Sequence, residues 1–331
     1  MNAPKAWLSG FCNPSNPPDS HARCVRPSTS GADCSCFCHW KTEPTVDEVE
    51  AGAAAREPGF YPNIPEEDYH RDPASLSHSG AKVLLKAPAL FRWEQEHPPP
   101  FKKAWDYGSA AHAKVLGVGA EVRTIPADLL ASNGAASTKD ARAFIDQARK
   151  DGAIPLKAAE VQQIDDMAEK LTEHTLAMEL LADGQPEVSA YAPDPETGIM
   201  RRCRFDWLSS TVLTDYKSAV SADPFAFAKA AKDFGYHQQH PWYLDLARDL
   251  GHPAEAFAFI VQMKTPPYLV TVVELKPPAV ALGRERNRQA LQIYRDCLEA
   301  DSWPGYVPDT EFARIDLPAY AYTDHEVETA A

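Results

Sequence analysis

The chain has 331 residues, 44% of them hydrophobic, and a formal net charge of −14 at pH 7. This is enough for a sizeable buried core. With neither an apolar run of membrane-spanning length nor a secretory leader, the sequence predicts a cytoplasmic protein. The acidic balance argues against indiscriminate coating of nucleic acid, although an enzyme that holds DNA in a channel needs only a local basic lining. Three basic clusters are candidates for a lining, with ordinary solvated surface as the alternative: Lys82 with Lys86, Lys102 with Lys103, and Arg201, Arg202 with Arg204.

Residues 1–45 differ from the rest of the chain and are predicted to form a cysteine- and histidine-rich appendage, followed by a linker over residues 46–65. Thiolates and imidazoles at this density suggest a structural zinc site, although the spacing is not that of a standard CxxC pair. A disulfide cluster and an unstructured tail are the alternatives. The candidate zinc ligands are Cys12, His21, Cys24, Cys34, Cys36, Cys38 and His39.

Residues 66–313 are predicted to form the main domain, with an acidic tail over residues 314–331. Its first half is helical: Ser77 or Ser79 is a candidate N-cap, Pro88 suits the first turn of a second helix, and His112 lies among small residues of a third. The later elements follow from hydrophobic periodicity. They are helices near 138–149 and 157–183, strands near 186–193, 198–208 and 211–218, helices near 223–233 and 236–250, strands near 255–264 and 268–275, and a last helix near 278–300.

Charged residues interrupt the strand pair that ends in "DWLSSTVLTDYKS". A two-residue turn at Ser209–Ser210 would pair Asp206 with Leu213. By the period of two, Asp206, Asp215 and Lys217 would then share one face of the sheet, as they would for any even loop length. Carboxylates on neighbouring strands are close enough to bind one divalent cation together.

This arrangement suits hydrolysis of a phosphodiester, which is slow without a divalent metal. Asp206 and Asp215 supply the hard oxygen ligands that Mg²⁺ prefers, and the carbonyl of Tyr216 is a third candidate ligand. Lys217 would position the attacking water or help to deprotonate it, and would offset phosphate charge. The alternative is an exposed hairpin with a chance ion pair.

The helix that follows carries Tyr236, Gln239 and Tyr243 on one face, which we expect to return over the metal edge. Gln239 and Tyr243 are therefore candidate catalytic residues that hold a phosphate or a base without charge. Amphipathic packing is the alternative, above all for Tyr243. Pro241 must lie in the first turn of this helix or kink it.

Together these residues resemble the PD-(D/E)XK nuclease superfamily, and within it the exonuclease VIII (RecE-type) and RecB-like group. The pattern of that group is His, then Asp, then D-x-K, then Q-x-x-x-Y. Here His112, Asp206, "DYK" and Gln239 with Tyr243 follow in that order. The resemblance covers residues from about 65 to 300, and implies that His112 is an upstream metal ligand.

The resemblance implies an α/β fold with a restriction-endonuclease-like core, a mixed central sheet flanked by helices. It also implies a DNA exonuclease dependent on Mg²⁺ or Mn²⁺ that acts at double-stranded ends and leaves single strands for recombination or repair, in a phage or mobile element. A single-strand annealing or recombination protein is the expected partner, and a homo-oligomer the expected assembly. The alternatives are a DNA-trimming nuclease of the CRISPR-adaptation type and a catalytically idle DNA-binding scaffold of the same fold.

Two further residue groups bear on the site. Glu187, early in the strand before Asp206, is a candidate additional acid near the metal, with a solvent-facing strand residue as the alternative. Only Cys203 and Cys297 lie beyond the first 38 residues. An iron–sulfur cluster that closes the nuclease domain, as in some members of the group, is therefore not expected.

Overall fold

The structure, a computed structural model, describes residues 56–97, 103–308, 310–318 and 322, with the backbone alone for residues 103–106. The chain divides into two units, residues 1–54 and 55–331. The predicted zinc appendage, with all its candidate ligands, lies outside the described residues. The predicted domain boundaries therefore stay predictions.

The described part of the second unit contains both helices and strands. The helices are α1 (Glu66–His70), α2 (His78–Leu84), α3 (Pro88–Glu96), α4 (Lys103–Leu116), α5 (Lys139–Lys150), α6 (Ala158–Thr172), α7 (Thr175–Leu180), α8 (Pro224–Asp233), α9 (Tyr236–Asp249) and α10 (Pro277–Ala300). The strands are β1 (Gly59–Tyr61), β2 (Leu76–Ser77), β3 (Val122–Ile125), β4 (Ile154–Lys157), β5 (Gln185–Pro193), β6 (Met200–Leu208), β7 (Val212–Ala219), β8 (Ala256–Met263) and β9 (Val270–Val273).

The main sheet is mixed, with the strand order β1-β5-β6-β7-β8-β9, and β2 pairs with β6 outside this path. Strand β6 pairs antiparallel with both β5 and β7, whereas β7 and β8 are parallel and are joined through α8 and α9. Strands β3 and β4 form a separate parallel pair. The predicted fold class, a mixed central sheet flanked by helices, is confirmed.

Helices cover both faces of β7 and β8, which explains why β8 reads as a continuous apolar run. Phe257 and Phe259 pack in a core cluster with Trp242 of α9. Tyr216 of β7 and Ile260 of β8 belong to a second cluster that includes residues of α4 and β4. Each fully buried aromatic or aliphatic side chain contributes about 1.5–3 kcal/mol to folding, so these two layers hold rigid the strand that carries Asp215.

Local signals fix the ends of the helices near the site. The side chain of Ser77 accepts a hydrogen bond from Gly80 N at 3.1 Å, so the predicted cap of α2 is confirmed at Ser77. Asp223 caps α8 through bonds from Phe225 N and Ala226 N, and Pro224 occupies its first turn.

The structure departs from the predicted elements in three places. Residues 157–183, predicted as one helical run, form α6 and α7, because the chain breaks at His174, whose side chain accepts a bond from Ala177 N at 3.2 Å. Strands β3 and β4 are too short to show a periodicity and were not predicted. Strand β1 falls within the predicted linker, yet pairs with β5.

Helix α10 crosses the first turns of α9 at very short range. Pro241 lies inside α9, beyond its first turn, and has no N–H to bond the carbonyl of His237. A methyl group at Gly283 of α10 would lie 1.6 Å from that carbonyl oxygen. Nearby, Asn287 Nδ2 donates to Gln238 O at 2.8 Å. Two helices thus approach closely where α9 begins.

Within the described ranges, no helix combines the length and the hydropathy needed to cross a membrane.

Candidate active site

The site lies where strands β6 and β7 separate. Their ladder holds a single pair, Trp207 with Thr214. The expected two-residue turn would have paired Trp207 with Val212, so the predicted register is wrong by two residues. Within this longer connection the hydroxyls of Ser209 and Thr211 bond each other at 3.3 Å.

The offset leaves an even number of residues in the connection, so it does not contradict the predicted shared face of Asp206, Asp215 and Lys217. Glu187, which the register of β5 and β6 places opposite Asp206, has a left-handed backbone with φ 54°. Strand β6 itself continues unbroken through Asp206, with the same register on both sides, so the unusual backbone belongs to Glu187 of β5.

Beyond the Trp207–Thr214 pair, side chains replace strand partners for the backbone of Tyr216. Its N–H donates to Asp206 Oδ2 at 2.8 Å. Its carbonyl oxygen lies 2.9 Å from Nε2 of His112, which is brought to the sheet by α4. The same nitrogen lies 2.9 Å from Asp206 Oδ2. The structure thus brings His112, Asp206 and the Tyr216 carbonyl together.

Asp215 and Lys217 form the second part of the site. Asp215 is 2% exposed, and its Oδ1 lies 2.5 Å from Lys217 Nζ. Its Oδ2 accepts from Gln239 Nε2 of α9 at 2.5 Å. Lys217 Nζ also lies 4.8 Å from the ring centre of Tyr236. The lysine is therefore held between a carboxylate and an aromatic face.

The electrostatics of the two acids differ. Burial, reinforced by the charge of Asp206, raises the pKa of Asp215 to about 6. Burial by itself raises the pKa of Asp206. The charge and hydrogen bond of His112 together outweigh burial and hold this pKa below its usual value. The pKa of His112 is correspondingly raised well above normal, against burial, by Asp206. Burial lowers the pKa of Lys217, but the charges of Asp215 and Asp206 together outweigh burial, so the pKa is raised.

Several donors at this site could hold a divalent cation. His112, Glu187 and Asp206 each offer a ligand atom, and these atoms lie within 4.8 Å of one another. The Tyr216 carbonyl and Oδ1 of Asp215, which is paired with Lys217, add oxygen donors. Carboxylate and carbonyl oxygens with one imidazole fit Mg²⁺ or Mn²⁺ better than a thiolate-preferring metal. The structure therefore contains a possible acidic metal site.

The two predicted residues of α9 have different surroundings. Gln239 is buried and touches Asp215, whereas the ring of Tyr243 packs edge-on against Phe205 at 5.5 Å and Phe257 at 6.0 Å. The packing alternative therefore describes Tyr243, and its catalytic role stays a prediction. Its pKa is raised far above normal, chiefly by burial.

The three basic clusters predicted as candidates for a DNA-channel lining have different surroundings in the structure. Arg201 and Arg202 are both buried. Arg201 binds the carboxylate of Asp249, and Arg202 binds the carbonyl of Ser75. Neither arginine is therefore part of a solvated surface or a phosphate contact. Arg204 donates to Ile64 O at 2.7 Å. Lys82 Nζ donates to Phe234 O at 2.6 Å, at the end of α8, and Lys86 is exposed. The side chains of Lys102 and Lys103 lie outside the described part.

Sequence reasoning missed the contact between Lys217 and Tyr236 and the hydrogen bond from Tyr216 N to Asp206. The predicted return of α9 over the metal edge accounts for the nearness of Tyr236, but no sequence signal marks its contact with Lys217. The bond from Tyr216 N to Asp206 depends on the separation of β6 from β7.

A family profile described as "PDDEXK-like domain of unknown function (DUF3799)" matches residues 77–315. The chain belongs to this family. The predicted membership of the PD-(D/E)XK nuclease superfamily is thereby confirmed. A similar solved structure is that of a "Putative exonuclease" from Eubacterium rectale, with 12% identity and a TM-score of 0.51 over 79% of this chain and 98% of that one. At this identity the likeness shows the fold alone. No curated protein matches the chain.

Proposed function

We propose that this PDDEXK-like domain is a metal-dependent DNA exonuclease that hydrolyses phosphodiester bonds at double-stranded ends. One observation carries the proposal: His112, Asp206, Asp215 and Lys217 converge, with Gln239, where β6 and β7 separate. A bound Mg²⁺ or Mn²⁺ would polarise the phosphate and lower the pKa of a bound water.

The residues of the chain have separable roles in this proposal. Asp206, Asp215, His112 and the Tyr216 carbonyl would hold the cation. Lys217, kept charged by its raised pKa, would position water and offset the charge of the phosphate. Gln239 fixes the orientation of Asp215 through its 2.5 Å contact.

The intact charged set favours catalysis over the idle scaffold. Burying Asp215 near Asp206 raises its pKa and is unfavourable without a cation. Generation of single strands for recombination or repair, a homo-oligomer and an annealing partner extend the same proposal by resemblance.

The test is release of acid-soluble nucleotide from linear duplex DNA with Mg²⁺ or Mn²⁺, beside a closed circular duplex that lacks ends. We expect release from the linear substrate, none with EDTA, and none from Lys217→Met. Lys170→Met is the matched control, because Lys170 also lies 2.5 Å from a carboxylate, that of Glu173, but on the exposed surface. Equal release from Lys217→Met, or none from the wild type, would refute the proposal, and cleavage of the circle would indicate an endonuclease.

A further inference from the structure

The two ring nitrogens of His112 face different partners. Nε2 lies 2.9 Å from both Asp206 Oδ2 and the Tyr216 carbonyl oxygen. Nδ1 faces away from these groups, toward Oε1 of Glu187 at 3.6 Å. A histidine that binds a metal through one nitrogen usually donates the other N–H to a carboxylate, which fixes the tautomer and the orientation of the ring.

The other oxygen of Glu187 also has a partner. Oε2 lies 4.0 Å from Arg204 Nη1. Arg204 is itself held by Ser189 Oγ at 3.0 Å and by the carbonyl of Ile64 at 2.7 Å. The carboxylate thus has one oxygen toward the imidazole and one toward a fixed guanidinium, an arrangement that favours contact with His112 over a direct metal bond.

The backbone of Glu187 is consistent with a role for its side chain. Its φ of 54° lies in the left-handed region, which glycine and asparagine adopt far more readily than glutamate. Its neighbours Pro186 and Val188 pair regularly with Trp207 and Phe205 of β6. A glutamate kept in such a conformation between regular pairs indicates a constraint from function.

We infer that Glu187 is a positioning residue: it accepts a hydrogen bond from Nδ1–H of His112 and holds Nε2 toward the metal side of the site. The inference rests on the proposed function only in taking Nε2 as the metal-facing nitrogen. The 3.6 Å separation shortens to hydrogen-bond length when the ring is fixed by a bound cation, as contacts in unliganded sites commonly do.

The test compares Glu187→Ala with Glu187→Gln in the full chain by calorimetric titration with Mn²⁺. The amide oxygen of glutamine accepts the same hydrogen bond, so Glu187→Gln keeps the Mn²⁺ Kd within about 3-fold of wild type, whereas Glu187→Ala raises it about 10–100-fold. An equal loss in both variants overturns the inference in favour of a direct ligand. An unchanged Kd in Glu187→Ala overturns it in favour of a structural residue. Glu121→Ala, an exposed partner of Arg123 at 3.6 Å, is the control.

A second measurement needs no metal. In crystal structures of the metal-free variants, the His112 ring turns in Glu187→Ala and keeps its orientation in Glu187→Gln; an unmoved ring in Glu187→Ala refutes the inference. A wild-type chain without nuclease activity would refute the proposed function, and the titration and the ring orientation would still decide the role of Glu187.

Discussion

Removing the ammonium group of Lys217 is expected to destabilise the metal-free protein as well as to abolish hydrolysis. Lys217→Met keeps the apolar stem and leaves Asp215, which is 2% exposed, with Gln239 as its hydrogen-bond donor. Breaking a buried ion pair costs about 3–5 kcal/mol. The Lys217 side chain is 22% exposed and therefore partly solvated. We therefore expect the free energy of unfolding to fall by about 3 kcal/mol, at the lower end of this range.

The double variant Asp215→Asn/Lys217→Met separates this cost from catalysis. It removes both charges, keeps an amide for Gln239 and relieves the repulsion from Asp206. Its free energy of unfolding is therefore expected within about 1 kcal/mol of wild type, which makes the double variant about 2 kcal/mol more stable than Lys217→Met. Both variants remain without nuclease activity.

The assay is urea unfolding at pH 7.5 in EDTA, with Lys170→Met as control, expected within about 0.5 kcal/mol of wild type. If Lys217→Met were as stable as wild type, or the double variant as unstable as Lys217→Met, the buried pair would not be the source of the effect.

Three further predictions concern residues around the site. Burial lowers the pKa of His240 to about 4 from 6.5, so the stability present above pH 6.5 falls progressively, by about 3 kcal/mol in all, as the pH drops from 6.5 to 4. Urea unfolding at pH 7.5 and 4.5 should therefore show a smaller loss in His240→Phe than in wild type, and equal losses would contradict the burial argument. Glycine at the left-handed positions of Glu187 and Asp301, with φ 54° and 46°, should raise the unfolding temperature of the metal-free protein by about 2 °C in each case. Only the change at Glu187 should weaken Mn²⁺ binding; a lowered unfolding temperature in both variants would exclude strain at these positions. Gln239→Leu removes a hydrogen bond to a buried carboxylate, worth about 1.5–3 kcal/mol, and should reduce kcat on linear duplex at least 10-fold; an unchanged kcat would mean that the orientation of Asp215 does not depend on it.

The sequence was sufficient to predict the strands that carry Asp206 and Asp215. Alternating and β-branched residues mark β6 and β7, and the order of the motifs identifies the superfamily. The position of His112 beside Asp206 followed from the resemblance, since the two residues are brought together only by the packing of α4.

The parts that could not be predicted depend on contacts between distant segments. The offset of β6 against β7 is set by a loop whose length no hydrophobic pattern reveals, and the left-handed backbone of Glu187 has no sequence signal. Arg201 and Arg202 looked like surface residues because arginine is usually exposed. Their burial follows from partners far along the chain, such as Asp249 and Ser75.

The close approach of α10 to α9 at Gly283 makes the position of Gln239 depend on a residue outside the candidate site. No side-chain atom fits between α10 and the His237 carbonyl, since a methyl group there would lie 1.6 Å from the oxygen. Any larger residue would displace the beginning of α9 outward, and Gln239 is two residues beyond His237 on that helix. A substitution at Gly283 is therefore expected to shift the Gln239 amide relative to Asp215, although Gly283 lies on a different helix.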